Sequence, residues 1–297
     1  MNDAWHLVAH KSEIAAPGDY VVLPWDPLEQ LAVMNVAGEI VAFDGRCPHR
    51  GANIFAESRG NRPPICGYHG RRAQPKDLRR FHAAWVGDWL FVNRTAFRGT
   101  PLADGSAIAE FLLGAPKLRL HSAASYVYDC HWTVAVENAL DNEHVPHVHA
   151  ETLARLGLAR TGMHLDRDGS SLEVFKSNQS ERMDRIGRFF DEQLPFDYAH
   201  THVHPYAALS STRGWTWALQ NYFPRADGRT QFVSRLFVPT SAASAKMDHF
   251  FDRVQALNAR VFDEDAAICA RVPAGYAGNL GPRDDRIRHF RAREVAP

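Results

Sequence analysis

Residues 47–51 read Cys-Pro-His-Arg-Gly, and residues 66–70 read Cys-Gly-Tyr-His-Gly. Each segment places one cysteine and one histidine in a short glycine-containing loop. Two thiolates and two imidazoles on paired loops suit either a zinc ion or a [2Fe–2S] cluster in which the thiolates bind one iron and the imidazoles bind the other. Zinc fingers usually pair Cys with Cys and His with His, so the mixed pairing favours the iron–sulfur cluster over structural zinc.

The two loops resemble those of Rieske domains. The resemblance implies a [2Fe–2S] cluster bound by Cys47, His49, Cys66 and His69, in which neutral imidazoles raise the reduction potential. The family usually has Trp directly after Tyr-His-Gly, where this chain has Arg71. The segment that follows, up to residue 85, also looks shortened. Both differences concern the outer surface of the cluster, where a redox partner and a neighbouring subunit dock.

On either side of these loops, the first hundred residues have the pattern of β structure. Short apolar runs separated by Pro, Gly and Asp-Gly turns predict strands at residues 20–23, 31–36, 40–43 and 85–92, the last being a strand or a hairpin. Residues 99–105 are rich in turn formers and lack periodicity. We therefore expect a Rieske domain over residues 1–104 and a catalytic domain over residues 105–297.

The second part of the chain mixes helices and strands. A helix is predicted over residues 131–144, where Pro146 must end or kink it, and a long amphipathic helix over residues 245–270. Strands are predicted at residues 171–175, 215–223 and 231–238. The tail from Pro273 is rich in Gly and Pro and then basic, so we expect it to be a surface extension.

A second group of candidate functional residues lies at and just beyond the end of the first helix predicted in this part: Asn138, Asp141, His144 and His149. The His-Glu-x-x-His pattern of zinc proteases is absent. His144 and His149 lie on either side of the bend expected at Pro146, so both imidazoles can converge on one metal. Two histidines are an incomplete site, and a third ligand is required.

The long C-terminal helix offers Asp263, Glu264 and Asp265 as the third ligand. Its buried face is defined by apolar residues at steps of three, four and seven: Val254, Leu257, Val261 and Ile268. Position 265 lies four residues after Val261 and three before Ile268, so Asp265 is predicted on the buried face. Asp263 and Glu264 are predicted to face solvent. A buried carboxylate costs several kcal/mol, roughly, unless it is paired or binds metal. Asp265 is therefore a metal ligand or, alternatively, the partner of an arginine.

Two histidines and one carboxylate form the facial triad of non-haem Fe(II) oxygenases. Together with the Rieske loops, the spacing of Asn138, Asp141, His144 and His149 resembles the Rieske non-haem iron oxygenases, which are the ring-hydroxylating oxygenase alpha subunits. The resemblance implies an α+β chain: an all-β Rieske domain, then a START-like helix-grip domain with an antiparallel sheet around a long C-terminal helix. It implies that His144, His149 and Asp265 bind a mononuclear Fe(II).

The same resemblance assigns further roles. Asp141 and Asn138 are the remaining candidate catalytic residues: Asp141 would bridge to a Rieske histidine of the neighbouring subunit, and Asn138 would lie near the iron. Because that bridge crosses subunits, a homotrimer is implied. No G-x-G-x-x-G segment or P-loop is found, so NAD(P)H would act indirectly, through a partner reductase with or without a ferredoxin.

The favoured function is therefore the terminal oxygenase of a multicomponent Rieske system, with hydroxylation or dealkylation of a small organic substrate favoured over ring cis-dihydroxylation. A Rieske electron-transfer or redox-sensing protein, whose second domain only binds a partner, is the alternative from another class. A zinc-stabilised START-like ligand carrier is a third possibility.

Composition and charge argue against a nucleic-acid-binding, membrane or secreted protein. The 297 residues carry 34 Lys plus Arg and 34 Asp plus Glu, which gives no overall basic field for nucleic acid or anionic lipid. No apolar run approaches the roughly 18 residues that span a bilayer, and residues 1–6 do not resemble a signal peptide. We expect a soluble cytoplasmic protein. A local basic run (Arg71, Arg72, Lys76, Arg79 and Arg80) could steer an acidic ferredoxin or reductase toward the cluster.

Overall fold

The computed structural model describes residues 4–26, 29–74, 77–95, 99–191, 193–276 and 278–294. Within these ranges the chain forms two seven-stranded antiparallel sheets, a two-stranded sheet and six α-helices. The strands are β1 (His6–His10), β2 (Asp19–Asp26), β3 (Glu29–Val36), β4 (Glu39–Asp44), β5 (Arg59–Asn61), β6 (Ile65–Cys66), β7 (Arg71–Arg72), β8 (Arg80–Val86), β9 (Trp89–Asn93), β10 (Leu118–Tyr128), β11 (Leu158–Leu165), β12 (Ser171–Ser177), β13 (Tyr198–Val203), β14 (Ala207–Thr212), β15 (Thr216–Pro224) and β16 (Thr230–Pro239). The helices are α1 (Ala107–Leu113), α2 (Trp132–Leu140), α3 (Val145–Val148), α4 (Ser180–Gly187), α5 (Ala245–Cys269) and α6 (Asp285–Glu294). No helix in this part of the chain has both the length and the apolar character needed to cross a membrane.

The N-terminal sheet has the order β1-β9-β8-β4-β3-β2-β5, and all the strands predicted before residue 93 belong to it. The segment predicted as a strand or hairpin is a hairpin, in which Trp85 pairs with Leu90 across the Gly87-Asp88 turn. The two-stranded β6–β7 sheet lies in the second cysteine–histidine loop. The prediction of an all-β N-terminal domain is confirmed.

The C-terminal sheet has the order β10-β16-β15-β14-β13-β12-β11, and α5 packs against it. Phe262 of α5 contacts Tyr126 and Phe232, with ring centroids 5.8 and 4.8 Å away. Ser244 caps the start of the helix by accepting the Met247 backbone N–H. The predicted architecture of an antiparallel sheet with a long C-terminal helix is confirmed, as is the α+β class.

Buried polar contacts join the two sheets. Arg235 in β16 is fully buried and donates through Nη1 to the carbonyl oxygen of Val8 at 2.7 Å. Asn221 in β15 donates to the carbonyl oxygen of Leu7 at 3.0 Å. Both acceptors belong to β1, so the first strand of the N-terminal sheet is fixed against the C-terminal sheet by side chains that satisfy two of its buried backbone carbonyls.

The helix predicted over residues 131–144 ends earlier than expected. The backbone leaves the helical conformation at Asp141, whose Oδ1 accepts the Glu143 N–H at 2.6 Å, so α2 stops at Leu140. Pro146 instead lies in the first turn of the separate helix α3. A side chain that bonds its own backbone two residues on competes with the helix, which is why the break precedes the proline.

The tail predicted as a surface extension is partly a packed helix, so that prediction is wrong for α6. Phe290 is fully buried, and its ring lies 5.8 Å from that of Trp132 in α2 and 5.4 Å from that of His202. Ile287, one turn earlier, is also buried. The many arginines of this segment conceal a short apolar stripe with helical spacing.

Replacing Phe290 with Ala should lower the free energy of unfolding by about 3–5 kcal/mol, because the change leaves a cavity among buried rings. Chemical denaturation followed by circular dichroism measures this. Tyr276, which is 67% exposed in the same C-terminal segment, provides the matched control: Tyr276→Ala should cost less than about 1 kcal/mol. Equal effects of the two changes would contradict the packing described for α6.

Candidate metal centres

The two cysteine–histidine loops share one backbone turn, which explains their common sequence pattern. The Gly51 N–H donates to the carbonyl oxygen of Cys47 at 2.8 Å, and the Gly70 N–H donates to that of Cys66 at 3.0 Å. Both glycines have a left-handed conformation, with φ of +72° and +65°, which side chains rarely adopt. Each loop therefore needs a glycine four residues after its cysteine in order to close.

The four predicted cluster ligands lie at one end of the N-terminal sheet. Cys47 and Cys66 are buried, with 6% and 2% exposure, whereas His49 and His69 are exposed and their ring centroids are 4.8 Å apart. Lost hydration, and then the charge of Arg71, lower the pKa of His49, which favours the neutral ligating form. Thiolates inside and neutral imidazoles at the surface fit a cluster with one iron held by each pair.

The predicted basic run is divided in the structure. Arg71 and Arg72 are exposed beside the second loop, and Arg71 pairs in register with Cys66. Arg80 instead forms an ion pair with Glu39 at 2.8 Å. Lys76 lies outside the described residues.

The second centre is built around the one-turn helix α3. His144 immediately precedes this helix and His149 immediately follows it, so both side chains leave the same turn. Their ring centroids are 5.0 Å apart. The break between α2 and α3 thus provides the bend that the five-residue spacing of the two histidines requires.

Asp265 of α5 completes this group. Its Oδ1 lies 3.0 Å from Nε2 of His149 and 3.6 Å from Nε2 of His144. One ligand atom from each of the three residues lies within 4.8 Å of the other two. The structure therefore brings together the two histidines and the carboxylate that the sequence analysis selected, with the same ring nitrogen of both histidines directed at one carboxylate.

The other ring nitrogens also face carboxylates. Nδ1 of His149 lies 2.7 Å from Oε2 of Glu264, and Nδ1 of His144 lies 3.5 Å from Oδ2 of Asp141. Metal-binding histidines commonly donate their second N–H to a carboxylate, which fixes the tautomer and orients the ring. With the proton on Nδ1, each Nε2 has a free electron pair on the side of Asp265.

Asn138 orients the carboxylate ligand. Its Nδ2 donates to Oδ1 of Asp265 at 2.7 Å. Burial raises the pKa of Asp265, but in the metal-free site its contacts with the His144 and His149 rings and the hydrogen bond from Asn138 outweigh burial and leave that pKa below its usual value. The predicted position of Asn138 near the metal site agrees with this contact, which is to the ligand carboxylate.

The charge balance of this site also fits a cation. Burial lowers the pKa of His144, but its contacts with Asp141 and Asp265 outweigh burial and raise that pKa to about 9. Burial also opposes the charged form of His149, whose pKa is nevertheless raised by Asp265 and Glu264. The surrounding carboxylates thus favour positive charge between the rings, and a divalent metal ion supplies that charge while both histidines stay neutral.

Glu264 is the site residue that the sequence analysis missed. It was predicted to face solvent like Asp263, but its Oε2 accepts a hydrogen bond from the Thr152 hydroxyl at 2.7 Å besides contacting His149. Asp263 is exposed as predicted. Helical periodicity correctly locates the backbone of Glu264 beside the buried stripe but does not show that its longer side chain reaches back to the ring. The only hint of this role in the sequence is that two acidic residues, Asp263 and Glu264, directly precede the candidate ligand Asp265.

A cleft of about 800 Å³ opens beside this centre. Part of its wall comes from the segment that carries His144. The polar lining consists of Asn142, Glu143, His147, Arg160 and Arg283, and the apolar lining of Pro146, Leu158 and Phe175. The cleft therefore combines charged groups of both signs with a small apolar surface.

Two family models match the chain. One, described as "Rieske [2Fe-2S] domain", matches residues 4–77. The other, described as "Ring hydroxylating alpha subunit (catalytic domain)", matches residues 116–295. The first match contains all four candidate cluster ligands, and the second contains the whole second centre.

Individual relatives are more distant. The 2-halobenzoate 1,2-dioxygenase large subunit of Burkholderia cepacia is 28% identical over 52% of this chain, and the match spans only 40% of that subunit's length. Chloroplastic choline monooxygenase of Beta vulgaris is 22% identical over 96% of this chain and 70% of its own. A crystal structure of the quaternary ammonium Rieske monooxygenase CntA superposes with a TM-score of 0.74 and 16% identity, covering 98% of this chain and 87% of that one. At this identity the structural likeness concerns the fold alone.

Replacing Glu264 with Gln should weaken Fe(II) binding by about 10- to 100-fold, because His149 loses the carboxylate that orients its ring. Iron retained by the protein after anaerobic dialysis against buffers of graded chelator strength measures this. Asp263→Asn removes the same charge from the adjacent exposed position and should leave the affinity unchanged. If both variants retain iron like the wild type, Glu264 does not support the site.

Proposed function

The chain belongs to the Rieske non-haem iron oxygenases, the family of ring-hydroxylating alpha subunits, and we propose that it is the terminal oxygenase of a multicomponent system. It would use O2 and electrons from an NAD(P)H-dependent reductase to oxygenate a small organic substrate. Its cofactors are a Rieske [2Fe–2S] cluster and a mononuclear iron. When bound, the cluster supplies single electrons and the mononuclear iron supplies oxygen activation.

One observation carries this proposal: His144, His149 and Asp265 converge within 4.8 Å in a chain that also has a Rieske domain. Two neutral histidines and one carboxylate occupy one side of a metal and leave the other positions for oxygen and substrate. A protein that only transfers electrons needs no such group. We therefore assign these three residues as ligands of the mononuclear iron and Cys47, His49, Cys66 and His69 as ligands of the cluster.

The neighbouring side chains hold the ligands in place. Glu264 keeps the proton of His149 on Nδ1, so Nε2 stays available to the metal. Asn138 donates to one oxygen of Asp265 and so fixes the direction of that carboxylate. These contacts limit rotation of the ligand side chains before metal, oxygen or substrate binds.

Asp141 is proposed to connect the two kinds of centre. Its side chain, which is 30% exposed, faces His144 on one side and the protein surface on the other. His49 and His69 are exposed at the surface of the Rieske domain. In a homotrimer, Asp141 of one subunit would contact a Rieske histidine of its neighbour and offer a short route for the electron.

Monooxygenation, by hydroxylation or dealkylation, is favoured over cis-dihydroxylation. Support comes from choline monooxygenase, whose sequence aligns with 96% of the chain, whereas the 2-halobenzoate dioxygenase subunit aligns with 52%. The charged and apolar lining of the cleft suits a small polar substrate. A panel of quaternary ammonium compounds and benzoates should be turned over under ¹⁸O2, and each product should carry one ¹⁸O atom. A product that carries two ¹⁸O atoms would contradict this preference.

The electron donor is proposed to be an acidic ferredoxin or reductase. Arg71 and Arg72 are exposed beside the second cluster loop, where they would attract an acidic surface. Reduction of the cluster by such a donor should slow as salt concentration rises. A rate independent of salt would contradict this docking.

Iron and acid-labile sulfide per chain, measured after anaerobic purification, test the proposed function directly. We expect three irons and two sulfides, the sum of one cluster and one mononuclear ion. Two irons and two sulfides, with no uptake of added Fe(II), would instead support the electron-transfer alternative. A colourless protein that holds zinc would support the ligand-carrier alternative.

In protein loaded with its cluster and kept in saturating Fe(II), replacing Asp141 with Asn should slow re-oxidation of the reduced cluster by O2 by at least about 10- to 100-fold, because the carboxylate between the centres is lost. Stopped-flow absorbance of the cluster measures this rate without any need for a known substrate. Glu151→Gln, a charge loss at an exposed position two residues after His149 and outside the cleft lining, is the control and should retain the wild-type rate. Rapid re-oxidation in the Asp141 variant would remove the bridge from the proposal.

A further inference from the structure

A buried carboxylate outside the ligand set holds the segment between Asp141 and His144. Asn142 lies in this segment, and its Nδ2 donates to Oε2 of Glu173 at 2.6 Å. Glu173 belongs to β12 and is 1% exposed. The segment that joins α2 to α3 is therefore connected by a side-chain hydrogen bond to the rigid C-terminal sheet.

Glu173 is itself fixed by two guanidinium groups. Nη1 of Arg286 lies 3.0 Å from the same Oε2, and Nη1 of Arg160 lies 2.9 Å from Oε1. Arg286, which is 3% exposed, also donates through Nε to the Ser171 hydroxyl at 2.9 Å. Two cations compensate the buried charge of Glu173, so its hydrogen bond with Asn142 is an additional contact that the charge balance does not require.

The same helix that supplies Arg286 also holds α2. Arg291 of α6 forms a bidentate pair with Glu137, with both N–O distances at 2.7 Å. Glu137 directly precedes Asn138, whose amide contacts Asp265. Arg291 thus contacts α2 directly, whereas Arg286 reaches the break between α2 and α3 only through Glu173 and Asn142.

Small displacements of this break would disturb the metal site. Asp141 and His144 are only three residues apart, and the Asp141 carboxylate also accepts the Glu143 N–H within the same turn. Fixing Asn142 therefore restricts both ends of the turn. Ligand sets need to be held within about 0.5 Å of their binding geometry, and residues outside the set provide much of that restraint.

We propose that Glu173, oriented by Arg286, is a positioning residue for the mononuclear metal centre, acting through Asn142 on the segment that carries Asp141 and His144. This inference rests on the proposed function, since it takes His144, His149 and Asp265 as metal ligands. Glu173 contacts none of these three residues among the hydrogen bonds and ion pairs of the described ranges, so its effect is transmitted by the backbone.

Asn142→Ala tests the inference with little risk to folding. The side chain is exposed overall, and its removal leaves both arginine contacts of Glu173 intact. The protein would be purified with its cluster, stripped of mononuclear iron by a chelator, and titrated anaerobically with Co(II) as the probe. We expect the Kd for Co(II) to rise about 10- to 100-fold and the ligand-field bands in the difference spectrum to change, while the melting temperature shifts by less than about 2 °C.

Glu151→Ala is the matched control, because this exposed acid lies two residues after His149 but outside the cleft lining, and its described ion pair is with Arg155. Its Kd for Co(II) and its spectrum should equal those of the wild type. Glu173→Gln is a second variant, which removes the charge that Arg286 orients and should weaken Co(II) binding at least as much as Asn142→Ala.

Different results separate this inference from the proposed function. If Asn142→Ala binds Co(II) like the wild type, with or without a lower melting temperature, the contact is only structural and the inference is overturned while the proposed function stands. If the wild type binds no Co(II) or Fe(II) at this centre, the proposed function fails, and the inference fails with it.

Discussion

The Asp265 carboxylate is the constraint on which the arrangement of the catalytic domain depends. Its Oδ1 accepts from Asn138 at 2.7 Å and faces the Nε2 atoms of His149 and His144 at 3.0 and 3.6 Å. Taking such a charge out of water costs several kcal/mol, roughly, unless partners compensate it. Those partners come from α2 and from both ends of α3, so one charge helps to fix where these two segments meet α5.

The features that could be predicted are those that show as a pattern among residues close together in the sequence. The cluster loops are recognisable because each one places cysteine, histidine and a turn-closing glycine within five residues. Asp265 was found because a helix repeats every 3.6 residues and its apolar stripe marks the buried side. The strands predicted from short apolar runs between turn formers all lie in the two sheets, whereas β10, β11, β13 and β14 of the C-terminal sheet were not predicted from such runs.

The unpredicted parts depend on contacts between distant positions. Glu173 and Arg286 are 113 residues apart, and neither residue reveals its partner in the sequence. The α6 segment looked like a solvated basic tail because its arginines were counted as exposed charge, whereas Arg286 is buried. Glu264 was placed toward solvent because periodicity describes the direction of Cβ and not how far a long side chain reaches.

The position of α6 near the C-terminal end of the chain sets an order of events during synthesis. The four candidate cluster ligands lie within residues 47–70, so the ribosome makes them early, and the N-terminal strands can begin to pair around them. The second centre has its last candidate ligand at residue 265, and Arg286 and Arg291, which contact Glu173 and Glu137, come later still. If α6 positions that centre as proposed, translation must pass residue 291 before its binding geometry is complete, whereas all four candidate cluster ligands have been made by residue 70.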